Sequence, residues 1–253
     1  MLTLSVTAWV LLIVGAFSIG VAKASVQNLA FVGVGAAALV LPARESTAVV
    51  VVMLVVADIV AVIRYHKQCD WRLVRKLLPY VIPGEILGLW FLSWVSDSVL
   101  KVVIGVLLLF LLAPQIVPLV GAGKTQEESR PIPQFGRAAS AFVGTLAGFT
   151  TMAANASGPI FTWYLLMLRV NKAAFLGTGA IYFGIVNALK IPLGFSIGLF
   201  TPEMLAVDAV LIPVVLLGTV AGSALVRRMS QRTFDIIAVG MSLVAAVALL
   251  IPG

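Results

Sequence analysis

Residues 46–64 read STAVVVVMLVVADIVAVIR, an apolar run interrupted by a single carboxylate, Asp58. The run approaches the length of about 20 residues that a helix needs to cross a bilayer. Further apolar runs occupy 4–22, 29–41, 77–95, 99–120, 138–153, 158–168, 173–191, 204–226 and 234–251. Backbone N–H and C=O groups find no water in lipid, so every run is expected to be helical. Across the 253 residues, 61% are hydrophobic and only 11% are charged, with a mean hydropathy of +1.13. A soluble domain carries about a quarter of charged residues, so this apolar excess must face lipid. The chain therefore reads as one all-α, polytopic membrane domain over 1–253. No Lys or Arg precedes the first run, near Leu4, as a secretory signal normally requires, and that run is expected to be retained.

Between the runs, residues 121–137 form the one obvious polar linker, with Lys124, Glu127, Glu128, Arg130, Pro131 and Pro133. It separates two halves that look alike. Val14-Gly15 matches Val143-Gly144, Asp58 falls opposite Asn187, and Pro79, Gly84 and Gly88 match Pro213, Gly218 and Gly222. Loop charges then orient the halves, because cytoplasmic loops collect Lys and Arg. Loop 64–76 holds Arg64, Lys67, Arg72, Arg75 and Lys76, whereas its counterpart 192–203 holds none. The other pair reverses this: 96–98 has only Asp97, whereas 227–232 has Arg227, Arg228 and Arg232. Equivalent loops on opposite sides are the mark of an inverted-topology repeat.

The expected fold is thus two inverted-topology repeats, 4–120 and 138–253, each a broken or re-entrant helix hairpin plus three transmembrane helices. The hairpins follow from length, since 29–41 and 158–168 span about 20 Å or less at 1.5 Å per residue and a crossing needs about 30 Å. Both termini are expected outside, and loops 64–76, 121–137, 169–172 and 227–233 inside, in the cell (inner) membrane.

Charge and rare residues exclude several functions. The formal net charge of +7 follows from the basic cytoplasmic loops, and no basic soluble face exists for nucleic acid. With one cysteine, Cys69, and one histidine, His66, the chain offers neither an internal disulfide nor a Cys/His metal cluster. Both lie at a polar loop and read as incidental. No nucleophile–base pair is evident at membrane depth, so neither an enzymatic reaction nor a cofactor is expected.

The two hairpin tips are the places where chemistry is expected. The first runs Lys23-Ala24-Ser25-Val26-Gln27-Asn28, and the second runs from Thr150 to Pro159. Polar sequence at membrane depth is tolerated in protein or around a wet cavity. Ser, Asn and Gly there suit helix N-caps, and Pro159 suits a first turn. A helix N-terminus favours an anion, and inverted repeats would bring the tips together. The candidate substrate-binding residues are Lys23, Ser25, Gln27, Asn28, Thr150, Thr151, Asn155, Ser157 and Gly158, joined by Asn187 and Lys190, which share a helix face. Lys23 either charges this site or snorkels to an interface; Lys190 either lines it or anchors at the outer interface. Asp58 and Glu85, deep in apolar helices, either carry a coupling proton or pair with a Lys or Arg on a neighbouring helix. The glycines at small-xxx-small spacing read as close helix packing. These features describe a secondary transporter of a small anion working by alternating access. An anion channel, or a membrane subunit that does not itself transport, is the other reading, and the oligomeric state stays open between monomer and homodimer.

The stretch Gly148-Phe149-Thr150-Thr151-Met152-Ala153-Ala154-Asn155-Ala156-Ser157-Gly158-Pro159 resembles the second-half signature of the TauE/SafE family. The resemblance continues through Tyr164-Leu165-Leu166, Lys172, Phe175-Leu176-Gly177-Thr178 and Asn187-Ala188-Leu189-Lys190-Ile191-Pro192. It implies transport of small sulfur-containing anions such as sulfite, sulfonates or sulfoacetate. The first tip lacks the glycine-rich turn that many members carry.

Overall fold

The computed structural model describes residues 4–92 except 26, residues 136–230, and scattered positions between 232 and 247. The run 99–120, nearly all of linker 121–137 and most of run 234–251 lie outside the described residues. Every regular element described is helical: α1 (Val6–Lys23), α2 (Ala30–Val40), α3 (Ala43–Tyr65), α4 (Trp71–Leu92), α5 (Arg137–Ala154), α6 (Gly158–Met167), α7 (Lys172–Ser196) and α8 (Pro202–Arg228). Among the described residues, four stretches are long and apolar enough to cross a membrane: Val6–Lys23, Glu45–Gln68, Lys172–Ser196 and Pro202–Arg228. Helices α2 and α6, of 11 and 10 residues, reach only about 15 Å at 1.5 Å per residue.

Local chemistry sets the ends. The Ser5 hydroxyl accepts from the Ala8 N–H at 3.2 Å and starts α1. Thr201 does the same for α8 with the Met204 N–H, followed by Pro202 and Glu203 in the first turn. Helix α5 stops at Asn155, which is left-handed at φ 52. There the Asn155 N–H bonds the Thr151 carbonyl at 3.0 Å and the Ala156 N–H the Thr150 carbonyl at 3.1 Å. The Asn155 bond is the single five-to-one closure of a left-handed helix end, at a position where asparagine substitutes for glycine. The side-chain N-caps expected at α2 and α6 are not made. Leu29 and Ser157 already have helical dihedrals, whereas a capping side chain reaches back from an extended residue.

The chain forms two compact units, each drawing on both sequence halves: Met1–Val74 with Leu176–Met229, and Arg75–Phe175 with Ser230–Gly253. In the first, α1 packs on α2, α3 and α8, and α3 packs on α8. Their shared core includes Leu12, Ile19, Met53, Leu54, Leu211 and Val215. The outer side of α8 exposes Leu205, Val210, Leu216, Leu217, Val220 and Leu225, the apolar surface of a helix that meets lipid rather than water. In the second unit, α5 packs on α6, and the Phe91 and Phe149 rings lie 5.0 Å apart.

Each unit contains a very close helix crossing, and these two correspond atom for atom. In the first, a Cβ at Gly20 would meet the Val215 carbonyl oxygen at 2.1 Å and the Thr219 nitrogen at 2.8 Å. In the second, a Cβ at Gly148 would meet the Val81 oxygen at 2.2 Å and the Glu85 nitrogen at 3.0 Å. From the opposite side, Gly218 faces the Phe17 oxygen and Gly84 the Thr145 oxygen, both at 2.2 Å. Gly222 faces the Val21 oxygen at 2.4 Å and Gly88 the Phe149 oxygen at 2.6 Å. Backbones this close leave no room for side chains, the packing that small residues permit between membrane helices. The Val14-Gly15 match with Val143-Gly144 falls one residue out of this register. Gly15 packs on Gly33 and Ala36 of α2, whereas Gly144 packs on Leu77 and Tyr80 of α4. One residue turns the contact by roughly 100° around a helix of 3.6 residues per turn.

Candidate functional site: a buried ion pair at the first hairpin tip

Helix α1 delivers Lys23 in its last turn, and the chain then turns back toward α2. The Tyr65 hydroxyl at the end of α3 donates to the Ala24 carbonyl at 3.2 Å and pins the turn. Ser25 closes it, its N–H bonding the Ala22 carbonyl. Lys23 is 6% exposed, so it is enclosed by protein. Its Nζ lies 2.8 Å from Oδ1 of Asp58 on α3 and 4.4 Å from the centre of the Phe183 ring on α7. Asp58 is equally enclosed, and its Oδ2 accepts from Nδ2 of Asn187 on α7 at 2.6 Å. Lys190, about one turn beyond Asn187, is buried, and its charge acts on Asp58. Three separate helices thus bring Lys23, Asp58 and Asn187 into contact.

The chemistry of this cluster is that of a carboxylate held by donors. Asp58 uses one oxygen for an ammonium and the other for an amide N–H, and charge-assisted bonds of this kind are the strong ones. Oδ1 of Asn187 has no hydrogen-bond partner among the described residues, nor has Oε1 of Gln27, buried at the same tip. Ser25 is fully buried, but its hydroxyl donates to the Val21 carbonyl at 2.6 Å. Of Asn28, only the backbone, in the 3-10 turn Gln27–Leu29, is described.

The second tip lies in the other unit. The Thr150 hydroxyl donates to the Leu146 carbonyl at 2.9 Å, so its proton is committed to its own helix. Thr151 and Ser157 are buried, and Gly158 and Pro159 open α6. Glu85 is fully buried on α4, beside the Gly148 crossing.

Cys69 and His66 lie away from the ion pair. Burial, and then the Asp70 carboxylate, push the Cys69 thiol above its usual range, against a hydrogen bond with Thr178. The loop is locked on α7, where the Asp70 N–H donates to the Thr178 hydroxyl at 3.0 Å and Gly177 lies against the backbone of Gln68 and Cys69. One buried carboxylate escaped the sequence reading: Asp208 on α8 is 1% exposed. The signal was a carboxylate inside the apolar run 204–226, of the same kind as Asp58.

Long apolar helices that enclose a charged cluster define a multi-pass membrane protein, and charge placed so deep marks a transport path more often than a scaffold. Residues 6–249 match the family model described as Sulfite exporter TauE/SafE, and the chain belongs to that family. It is accordingly a membrane transporter and not an enzyme. Neither the curated proteins nor the solved structures contain a match.

Proposed function

We propose that this chain is a secondary transporter of small sulfur oxyanions or organosulfonates, such as sulfite, sulfonates or sulfoacetate, working by alternating access in the cell membrane. The observation that carries the reading is the Asp58 carboxylate itself. Its two oxygens take the Lys23 ammonium at 2.8 Å and the Asn187 amide at 2.6 Å. A sulfonate or sulfite offers the same kind of acceptor oxygens. Asp58 is then an internal stand-in that the substrate displaces, and it recloses on Lys23 when the substrate leaves. Such competition keeps binding weak enough for release, while the buried setting gives each contact its strength. Lys190 and Gln27 complete the donor set. In the second repeat, Thr151, Asn155, Ser157 and the first N–H groups of α6 from Gly158 are assigned the equivalent role.

The matched crossings at Gly20 and Gly148 support the inverted-repeat reading. So does the contact between Asp58 and Asn187, which hold equivalent sequence positions, because residues related by a two-fold axis touch each other where that axis passes. With the loop charges, these support a topology with both termini outside.

The test is uptake into proteoliposomes of labelled sulfite, sulfate, methanesulfonate, acetate and chloride. Saturable uptake of a sulfur anion, with counterflow, is the expected outcome. Unsaturable flux without counterflow would make the protein a channel, and a preference for acetate or chloride would overturn the substrate class.

A further inference from the structure

We propose that Asp208 is a proton-binding site, and that its loading and release couple anion movement to the proton gradient. The proposal rests on the transport reading above but uses a different residue and a different part of the first unit. Asp208 is 1% exposed, and neither carboxylate oxygen has a hydrogen-bond partner among the described residues. Its neighbours on α8, Met204, Val207 and Leu211, pack into the apolar core with Leu12 and Val50. A carboxylate closed in by hydrocarbon with nothing to bond costs several kcal/mol as an ion, so in this closed arrangement it is held as the neutral acid.

The charged groups of the packed elements whose side chains are described do not relieve that cost. Among the described residues, the elements packed most extensively on α8 are α1 and α3. Phe17 faces Gly218 and Val21 faces Gly222, so α1 runs parallel to α8. The one ionisable side chain on α1, Lys23, therefore lies level with the far end of α8, roughly 20 Å from Asp208 along the axis at 1.5 Å per residue, and is engaged with Asp58. Helix α3 carries Arg44 and Glu45 at its start and Asp58, Arg64 and Tyr65 further on, with Tyr65 near Arg227 at the far end of α8. Glu45 is the acid on the Asp208 side, and its own Oε2 is buried without a partner among the described residues. On α8 itself, Glu203, five residues before Asp208, is exposed.

A proton site is useful to a carrier only if it can open, and α8 is weakest at this point. Pro213 has no N–H for the carbonyl of Ala209, the residue after Asp208. The segment Pro202–Pro213 is therefore joined to the rest of α8 by one helical hydrogen bond fewer than an unbroken helix would have, and bends there most easily. Opening admits water, the Asp208 O–H bond breaks, water takes the proton, and the carboxylate is left solvated. Closing requires a proton from the other side to re-form that bond. One proton then moves for each cycle of the unit.

Two measurements on the full-length protein test this. Infrared difference spectra of the protein in nanodiscs read protonation without any transport. A protonated-carboxyl C=O band lost in D208N is expected, and a band unchanged in D208N overturns the proposal. In proteoliposomes, coupling of one proton to one monovalent anion gives about tenfold accumulation per pH unit of gradient. D208N is expected to keep anion counterflow within about twofold and to lose this accumulation, while E45Q keeps both. Accumulation retained in D208N, loss of counterflow together with accumulation, or loss in E45Q instead would each refute Asp208 as the coupling site. Should the wild type carry no anion, the transport reading fails, and the infrared result still decides whether Asp208 holds a proton.

Discussion

Lys23 and Asp58 form a pair that is expensive to break and cheap to remove. Lys23→Met leaves a buried carboxylate with only Asn187 to bond, and Asp58→Leu leaves a buried ammonium facing Phe183. Removing one partner of such a pair costs roughly 3–5 kcal/mol, because the other charge stays buried and unmatched. For a chain of this size each kcal/mol shifts the unfolding midpoint by about 2–4 °C, so each single variant is expected to melt roughly 6–20 °C lower. The double variant Lys23→Met with Asp58→Leu replaces the pair by apolar side chains. Replacement of this kind is often neutral or stabilising, so its midpoint should return to within a few degrees of wild type. Thermal unfolding in one detergent, followed by tryptophan fluorescence, measures the cycle. Uptake is expected to stay lost in the stable double variant, which separates a functional pair from a structural one. Additive losses in the double variant would refute the argument, since they would mean that the two charges do not depend on each other.

Other perturbations address the fold and the tips. Gly20→Ala and Gly148→Ala should each cost about 1–3 kcal/mol as overpacked sites, since both place a Cβ within 2.2 Å of a facing carbonyl oxygen. Gly35→Ala, with open space around it, should gain up to about 1 kcal/mol from helix propensity; both effects are read as melting shifts. Asn155→Ala should cost roughly 1–2 kcal/mol for the left-handed backbone, whereas Asn155→Gly should not; uptake by the Gly variant then reports the side chain alone. Cys69 should react slowly with maleimide at neutral pH. Its raised thiol leaves little thiolate there, so the rate should climb as pH rises past the usual thiol range.

Much of the architecture was legible because hydrocarbon allows few choices. The described apolar runs became helices, the two short runs became α2 and α6, and the matched glycines became two equivalent crossings. Pairings between distant segments were not legible. Asp58 was expected to carry a proton or to find a Lys or Arg, but several bases qualified and only packing selects Lys23. Asn187 looked like the counterpart of Asp58, and their contact depends on how α3 and α7 meet. The hydroxyls of Ser25 and Thr150 looked free to bind an anion. In helical turns such groups turn back onto a carbonyl four residues earlier, and both do so here. Asp208 went unnoticed because it follows Thr201, Pro202 and Glu203 so closely that it reads as part of a polar helix start.

Counterflow of labelled methanesulfonate in proteoliposomes, compared between wild type, Lys190→Met and the Lys23→Met/Asp58→Leu double variant, tests the central claim most directly. Saturable counterflow in the wild type, weakened at Lys190→Met and abolished in the folded double variant, is the expected result. Counterflow at wild-type rates in the double variant would contradict the assignment of the anion site to the buried ion pair.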